Sequence, residues 1–127
     1  MDAQQRAIVQ WWESRRWLFN LVHFVVGICS LAVMFAVGGA ALEAQARVTP
    51  GEDFVEPLAV IFGIPIYALA MNVCYAIGWE TEVWTGEIRT PEARARAFRV
   101  GLLLSSLVTL LPGLWACVYW LGHKLAN

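Results

Sequence analysis

Residues 57–79, PLAVIFGIPIYALAMNVCYAIGW, decide the fold. No acid or base interrupts them, and the first charge beyond is Glu80. A bilayer's hydrocarbon core takes roughly 20 helical residues to cross, so this run is long enough to span. Asn72 near its middle then needs a partner, because an unpaired polar group in hydrocarbon costs several kcal/mol.

Two further runs, 18–42 and 98–121, flank it. None of the three holds Asp or Lys, and Arg99 is the only arginine, one residue inside an end. The whole chain of 127 residues is 59% hydrophobic and 15% charged, with a mean hydropathy of +0.58. Soluble domains carry about 25% charge. A soluble three-helix bundle would lack the charge to coat such a core, so the sequence predicts a single all-α, integral membrane domain with three transmembrane helices. A cleaved leader is not expected, because the first run is about twice the length of a leader's apolar core.

Before the first run, 3–17 (AQQRAIVQWWESRRW) places Ile8, Trp11 and Trp12 against Gln4, Arg6, Gln10 and Glu13. That pattern predicts an amphipathic interfacial helix over 1–17, lying on the inner leaflet or running straight into the first span. Thr49-Pro50-Gly51 predicts a turn in an acidic first loop with Glu43, Glu52, Asp53 and Glu56. Thr90-Pro91-Glu92 predicts a helix start, with Thr as N-cap and Pro in the first helical position.

Basic residues set the threading. With the N-terminus inside, Arg6, Arg15, Arg16, Arg89, Arg94, Arg96 and Arg99 face the cytoplasm, and only Arg47 and Lys124 face outward. The expectation is a bacterial inner-membrane protein with a cytoplasmic N-terminus and an outer C-terminus. Trp11, Trp12, Trp17, Trp79 and Trp84, with Arg15 and Arg16, then lie at the inner interface, where tryptophan collects.

This threading also sets depths. At 1.5 Å per residue, Asn20, His23, Asn72, Tyr75, Glu80 and Arg99 all fall in the inner leaflet as one polar cluster. Mutual pairing is the economical arrangement: Asn72 to Asn20 or His23, and Glu80 to Arg99. The cluster reads as interhelical glue, or alternatively as a polar pocket for a substrate, ion or proton. Small residues at four-residue steps, Ala32, Ala36 and Ala40 on the first span and Gly101, Ser105, Thr109 and Gly113 on the third, are candidate helix-packing surfaces. Pro65 and Pro112 are candidate kinks.

Two motifs carry a resemblance. Trp12-Glu13-Ser14-Arg15-Arg16-Trp17-Leu18-Phe19-Asn20 and Asn72-Val73-Cys74-Tyr75, followed by Glu80 or Glu82, resemble the WExRRxx(F/Y)N and NxCY motifs of a family of small bacterial three-span membrane proteins. That family often has Pro where this chain has Ser14. The resemblance implies the three-span layout and links Asn20 to Asn72; it confers no activity.

The remaining signatures are weak. Cys29, Cys74 and Cys117 lack CxxC spacing and read as small buried hydrophobes. His23 is the only histidine within a span, so haem would need a second chain's ligand. Arg16 and His23 share the R-x6-H spacing of HEPN-type ribonucleases, but a lipid-embedded histidine cannot easily reach RNA. Ser105, Ser106 and Thr109 have no base nearby in the sequence, and hydrolase, P-loop and dinucleotide motifs are absent. A net charge of −1 points away from nucleic acid. The sequence therefore predicts no catalytic residues, metal or cofactor. It predicts a non-catalytic membrane subunit that forms a homo-oligomer or joins a larger complex, with the second loop (Arg89, Arg94, Arg96) facing lipid headgroups or a cytosolic partner. The alternative is a small transporter or channel formed by homo-oligomerisation. A holin-like lysis protein ranks last, because LGHKLAN is not a dense basic tail.

Overall fold

A computed structural model describes residues 1–44, 57–85 and 89–126. The first-loop turn at Thr49-Pro50-Gly51 and its acids Glu52, Asp53 and Glu56 lie outside the described residues. The described chain is helical: α1 (Ala3–Val33), a π-helical turn (Met34–Gly38), α2 (Gly39–Ala44), α3 (Pro57–Thr85) and α4 (Pro91–Ala126). Three of its helical stretches are long and apolar enough to cross a membrane.

Asp2 starts α1 with a reciprocal cap. Its carboxylate accepts from Gln5 N at 2.7 Å, and Gln5 Oε1 accepts from Asp2 N at 3.0 Å, which satisfies two otherwise orphaned donors. From there α1 is unbroken to Val33. Of the two arrangements the sequence left open for 1–17, the structure has the second: Ser14, Arg15 and Arg16 are polar but do not break a helix, and the amphipathic segment runs straight on into the apolar one. With the π turn and α2 it forms a 42-residue rod, Ala3–Ala44, about 63 Å long at 1.5 Å per residue.

The Thr90-Pro91 start is formed as its residues dictate. Thr90 Oγ1 accepts from Ala93 N at 3.2 Å, Pro91 opens α4, and Glu92 lies in the first turn. Both α3 and α4 run on through Pro65 and Pro112.

α1 and α4 run parallel, with α3 antiparallel to both. Contacts between α1 and α4 keep a nearly constant register, His23 to Ser105, Gly27 to Thr109 and Ser30 to Gly113. The buried positions of these two helices recur every eleven residues: Ile8, Phe19 and Ser30 on α1, and Arg94, Ser105 and Ala116 on α4, with Ser105 only half-buried. Eleven residues make three turns plus about 20°, so these side chains stay in line along a nearly straight helix. Four-residue steps drift by about 40° each and leave that line. Accordingly Ala32, Ala36 and Ala40 are exposed, and the far half of the rod meets α4 through Ser30, Gly38 and Ala41 instead. On α4, Ser105, Thr109 and Gly113 face inward while Gly101 is exposed.

The tightest approach is at Gly113. A Cβ there would lie 2.9 Å from the Ser30 carbonyl oxygen, and the Gly113 N–H donates to Ser30 Oγ at 3.1 Å. A neighbouring hydroxyl thus serves a backbone donor beside Pro112, as helices interrupted by proline in lipid require.

The aromatic core sits at one end, here called the head: the start of α1, the end of α3 and the start of α4. Ile8, Trp12, Phe19, Tyr75 and Phe98 form it, with Trp11, Trp79 and Leu102 packed around. Away from the head α3 is hardly covered. Only 6% of its most apolar window is buried, against 17% for the other two, and Leu58, Ile61, Phe62 and Ile66 point outward. Cys29 and Cys74 are also exposed and Cys117 is half-buried. The cysteines are therefore not the buried hydrophobes that their apolar runs suggested: Cys29 is exposed on α1, and Cys74 borders an open cleft between α3 and α4.

Candidate functional site

Glu82 is the most enclosed polar side chain of the head, at 1% exposure. Its carboxylate accepts from Arg94 Nε at 3.0 and 3.1 Å and from Arg94 Nη2, from Trp12 Nε1 at 3.3 Å, and from Arg89 N at 3.1 Å. The expected boundary pair, Glu80 with Arg99, does not form. Both are exposed, and among the described residues Arg99 Nε reaches only the Ala95 carbonyl of its own helix, at 3.4 Å. Depth alone could not separate the candidates. Two residues rotate a helical side chain by about 200° and five by about 140°, which turns Glu82 and Arg94 inward and Glu80 and Arg99 out.

Glu82 and Arg94 lie beyond the apolar runs 57–79 and 98–121, in the protruding helix ends. Burial opposes ionisation of Glu82, yet hydrogen bonds from Arg94, Trp12 and Arg89 together hold its carboxyl below the ordinary value of 4.5. The same contact with Glu82 outweighs burial at Arg94 and raises its guanidinium. A depressed folded value means stability that is present above pH 4.5 and lost as pH falls through that lower value. The thermal midpoint of the purified protein should therefore drop as pH falls below 4.5. A Glu82→Gln variant should start lower and show a shallower acid slope, both read from melting curves across pH 3–6.

One layer deeper, the two sequence motifs meet. Arg16 pairs with Glu13 at 2.6 Å, and its Nη1 donates to Asn72 Oδ1 at 3.3 Å. Asn72 Nδ2 donates to Asn20 Oδ1 at 3.1 Å and to the Ala68 carbonyl at 3.0 Å. Tyr75 donates its hydroxyl to the Trp12 carbonyl, and its ring packs on Phe19 with centroids 4.8 Å apart. The structure thus brings Asn20, Asn72 and Tyr75 into one network with Arg16, and leaves Glu80 and Arg99 outside it. On α3 the inward residues Asn72, Tyr75, Trp79 and Glu82 follow steps of three and four, one face of a helix.

His23 belongs to the next layer, bonded to α4 rather than to Asn72. Nδ1 donates to the Phe19 carbonyl at 2.7 Å, which fixes the ring, and Nε2 lies 2.8 Å from Ser105 Oγ. The Ser105 hydroxyl has one hydrogen and also lies 2.7 Å from the Gly101 carbonyl and 3.1 Å from that of Leu102. Sequence reasoning missed this base, because 82 residues separate the partners; the shared depth of His23 and Ser105 was the available signal. A serine beside a fixed histidine has the first two parts of a nucleophilic site. Ser105 lies in mid-helix, however, where backbone N–H groups serve the helix itself and so are not free to stabilise an oxyanion. Beyond it, Tyr67 bonds to Thr109 Oγ1, whose own hydrogen goes to the Ser105 carbonyl at 2.8 Å.

The tryptophans divide. Trp12 is core and lies over Gly78, whose Cβ position is 3.4 Å from the indole. Trp11 is half-buried, with the Arg15 guanidinium 3.7 Å from its ring centre. Trp17 and Trp84 are exposed, the latter at 86%. Trp79 Nε1 is enclosed with no hydrogen-bond partner among the described residues. Among those residues, no group of three or more His, Cys, Asp or Glu side chains could hold a metal ion. The arrangement is a set of interhelical polar locks at successive depths. Comparison of the chain with family models, curated proteins and solved structures found no match.

Proposed function

We propose that this chain is a three-span protein of the bacterial inner membrane, N-terminus cytoplasmic and C-terminus outside. In this reading it is a non-catalytic subunit that docks a second membrane chain or further copies of itself. Membership of the small three-span family rests on the same motifs that meet in the Arg16–Asn72–Asn20 network.

The observation that carries the docking role is the bare far half of α3. Outside the head, Tyr67 and half-buried Val60, its described apolar side chains are exposed among the described residues. The polar groups support a non-catalytic reading because they serve one another: Asn72 with Asn20, His23 with Ser105, Tyr67 with Thr109.

The test is the mass of the mildly solubilised protein together with co-purification from native membranes. A particle larger than the 14.2 kDa chain, beyond its detergent, or a stoichiometric neighbour, is expected. A lone monomer with no neighbour sinks the proposal. In the same preparation Asn72→Ala should lower unfolding free energy by about 1 kcal/mol, typical of interhelical hydrogen bonds in membranes, while the assembly persists. A second reading, a small transporter made by homo-oligomerisation, is favoured by the polar cluster at shared depth. It predicts instead that Asn72→Ala abolishes solute flux in liposomes.

A further inference from the structure

We infer that the head-end cleft between α3 and α4 holds one anionic phospholipid, its phosphate on the Arg89 guanidinium and one acyl chain along the two helices. The cleft has a volume of about 350 Å³, within the usual range of roughly 300–1,000 Å³ for ligand pockets. Ile77 and Gly78 of α3 face Phe98, Gly101 and Leu102 of α4 across it, and Arg89 also lines it.

Arg89 is the reason to expect an anion. It is half-buried, and its backbone is already engaged: the N–H with Glu82 at 3.1 Å, the carbonyl with Arg94 Nη2 at 3.4 Å. Its guanidinium has no hydrogen bond or ion pair among the described residues, whereas Arg94 is bound to Glu82 and Arg16 to Glu13. An unpaired guanidinium beside the cleft attracts an anion, and a phosphate meets it with paired, charge-assisted hydrogen bonds. The rest of the cleft explains why that phosphate belongs to a lipid. A small ion would leave the apolar length between Ile77 and Leu102 unfilled, and these spans place the cleft beside headgroups. Moving an acyl chain from bilayer to cleft gains little hydrophobic energy, since both are apolar; selectivity therefore rests on the headgroup charge.

Native mass spectrometry of the full chain, released from detergent with added phosphatidylglycerol, phosphatidylcholine or inorganic phosphate, tests this. One phosphatidylglycerol per chain should be retained about tenfold more tightly than phosphatidylcholine, a difference of roughly 1.4 kcal/mol, and inorganic phosphate should not displace it. Arg89→Gln keeps the backbone contacts and should erase that preference. Arg96→Gln removes the same charge from an exposed site and should keep it. Gly101→Phe changes no charge and fills the cleft at a position where an added Cβ meets nothing within 4 Å; it should lose the retained lipid while its helical circular dichroism matches that of the unaltered chain. Equal retention of the two lipids, equal effects of Arg89→Gln and Arg96→Gln, or full retention by Gly101→Phe overturns the inference. Displacement by inorganic phosphate overturns it in favour of a free-anion site. None of these readouts depends on the mass of the assembly.

Discussion

Glu82→Ala is expected to lower the stability of the solubilised protein by about 3–5 kcal/mol, the usual cost of breaking one side of a buried ion pair. The loss is large because Glu82 organises the whole head. Removing it strands the Arg94 guanidinium at 8% exposure, the Trp12 indole at 4%, and the Arg89 N–H. Stranded donors cost more than the pair contributes when intact. Replacing both members, Glu82→Leu with Arg94→Leu, should therefore be less harmful than either single change, since no buried charge is left behind. Tryptophan fluorescence during denaturant titration would follow the transition, because Trp12 lies in the melting core. A loss below about 1 kcal/mol for Glu82→Ala would show that water reaches the pair, for that is the scale of exposed ion pairs.

Gly113→Leu is expected to cost about 2–3 kcal/mol or more, at the upper end of overpacking effects. The nearest atoms to an added Cβ are the Ser30 backbone oxygen at 2.9 Å and its Cα at 3.2 Å. Backbone cannot rotate out of the way as a side chain can. α1 and α4 must separate, and the Gly113 N–H then loses Ser30 Oγ. Gly101→Leu on the same helix is the control, because nothing lies within 4 Å of a Cβ there. Both variants carry the same change in intrinsic helix preference, so the difference between their melting midpoints reports packing alone. Equal midpoints would refute the close contact.

What the sequence could show was position along the helix axes. Nearly charge-free length marked the three runs, Thr90-Pro91 marked the start of α4, and depth offered Asn20 or His23 as the partner of Asn72, of which the structure joins Asn20 at 3.1 Å. Angle around the axes was not legible. Glu80 and Glu82 differ by only about 3 Å in height, yet one points out and the other is enclosed. The alanine steps along the first rod gave a plausible stripe, but the contact line follows an eleven-residue period whose members, Ile8, Phe19 and Ser30, share no residue type. The π turn at Met34–Gly38 had no composition signal that we could read. His23 with Ser105 is a pairing between distant segments, fixed only once α1 and α4 are known to run side by side.

The uneven cover of α3 bears on how the molecule meets bilayers of different thickness. α1 and α4 are clasped near both ends, by the head and by Ser30 with Gly113. α3 is held at the head and at Tyr67 alone among the described residues. Its unclasped arm is therefore the stretch before Tyr67, from Pro57 to Ile66. Thinner or thicker lipid would be met first by tilting that arm, at fractions of a kcal/mol per Å of mismatch, before any contact between α1 and α4 is disturbed.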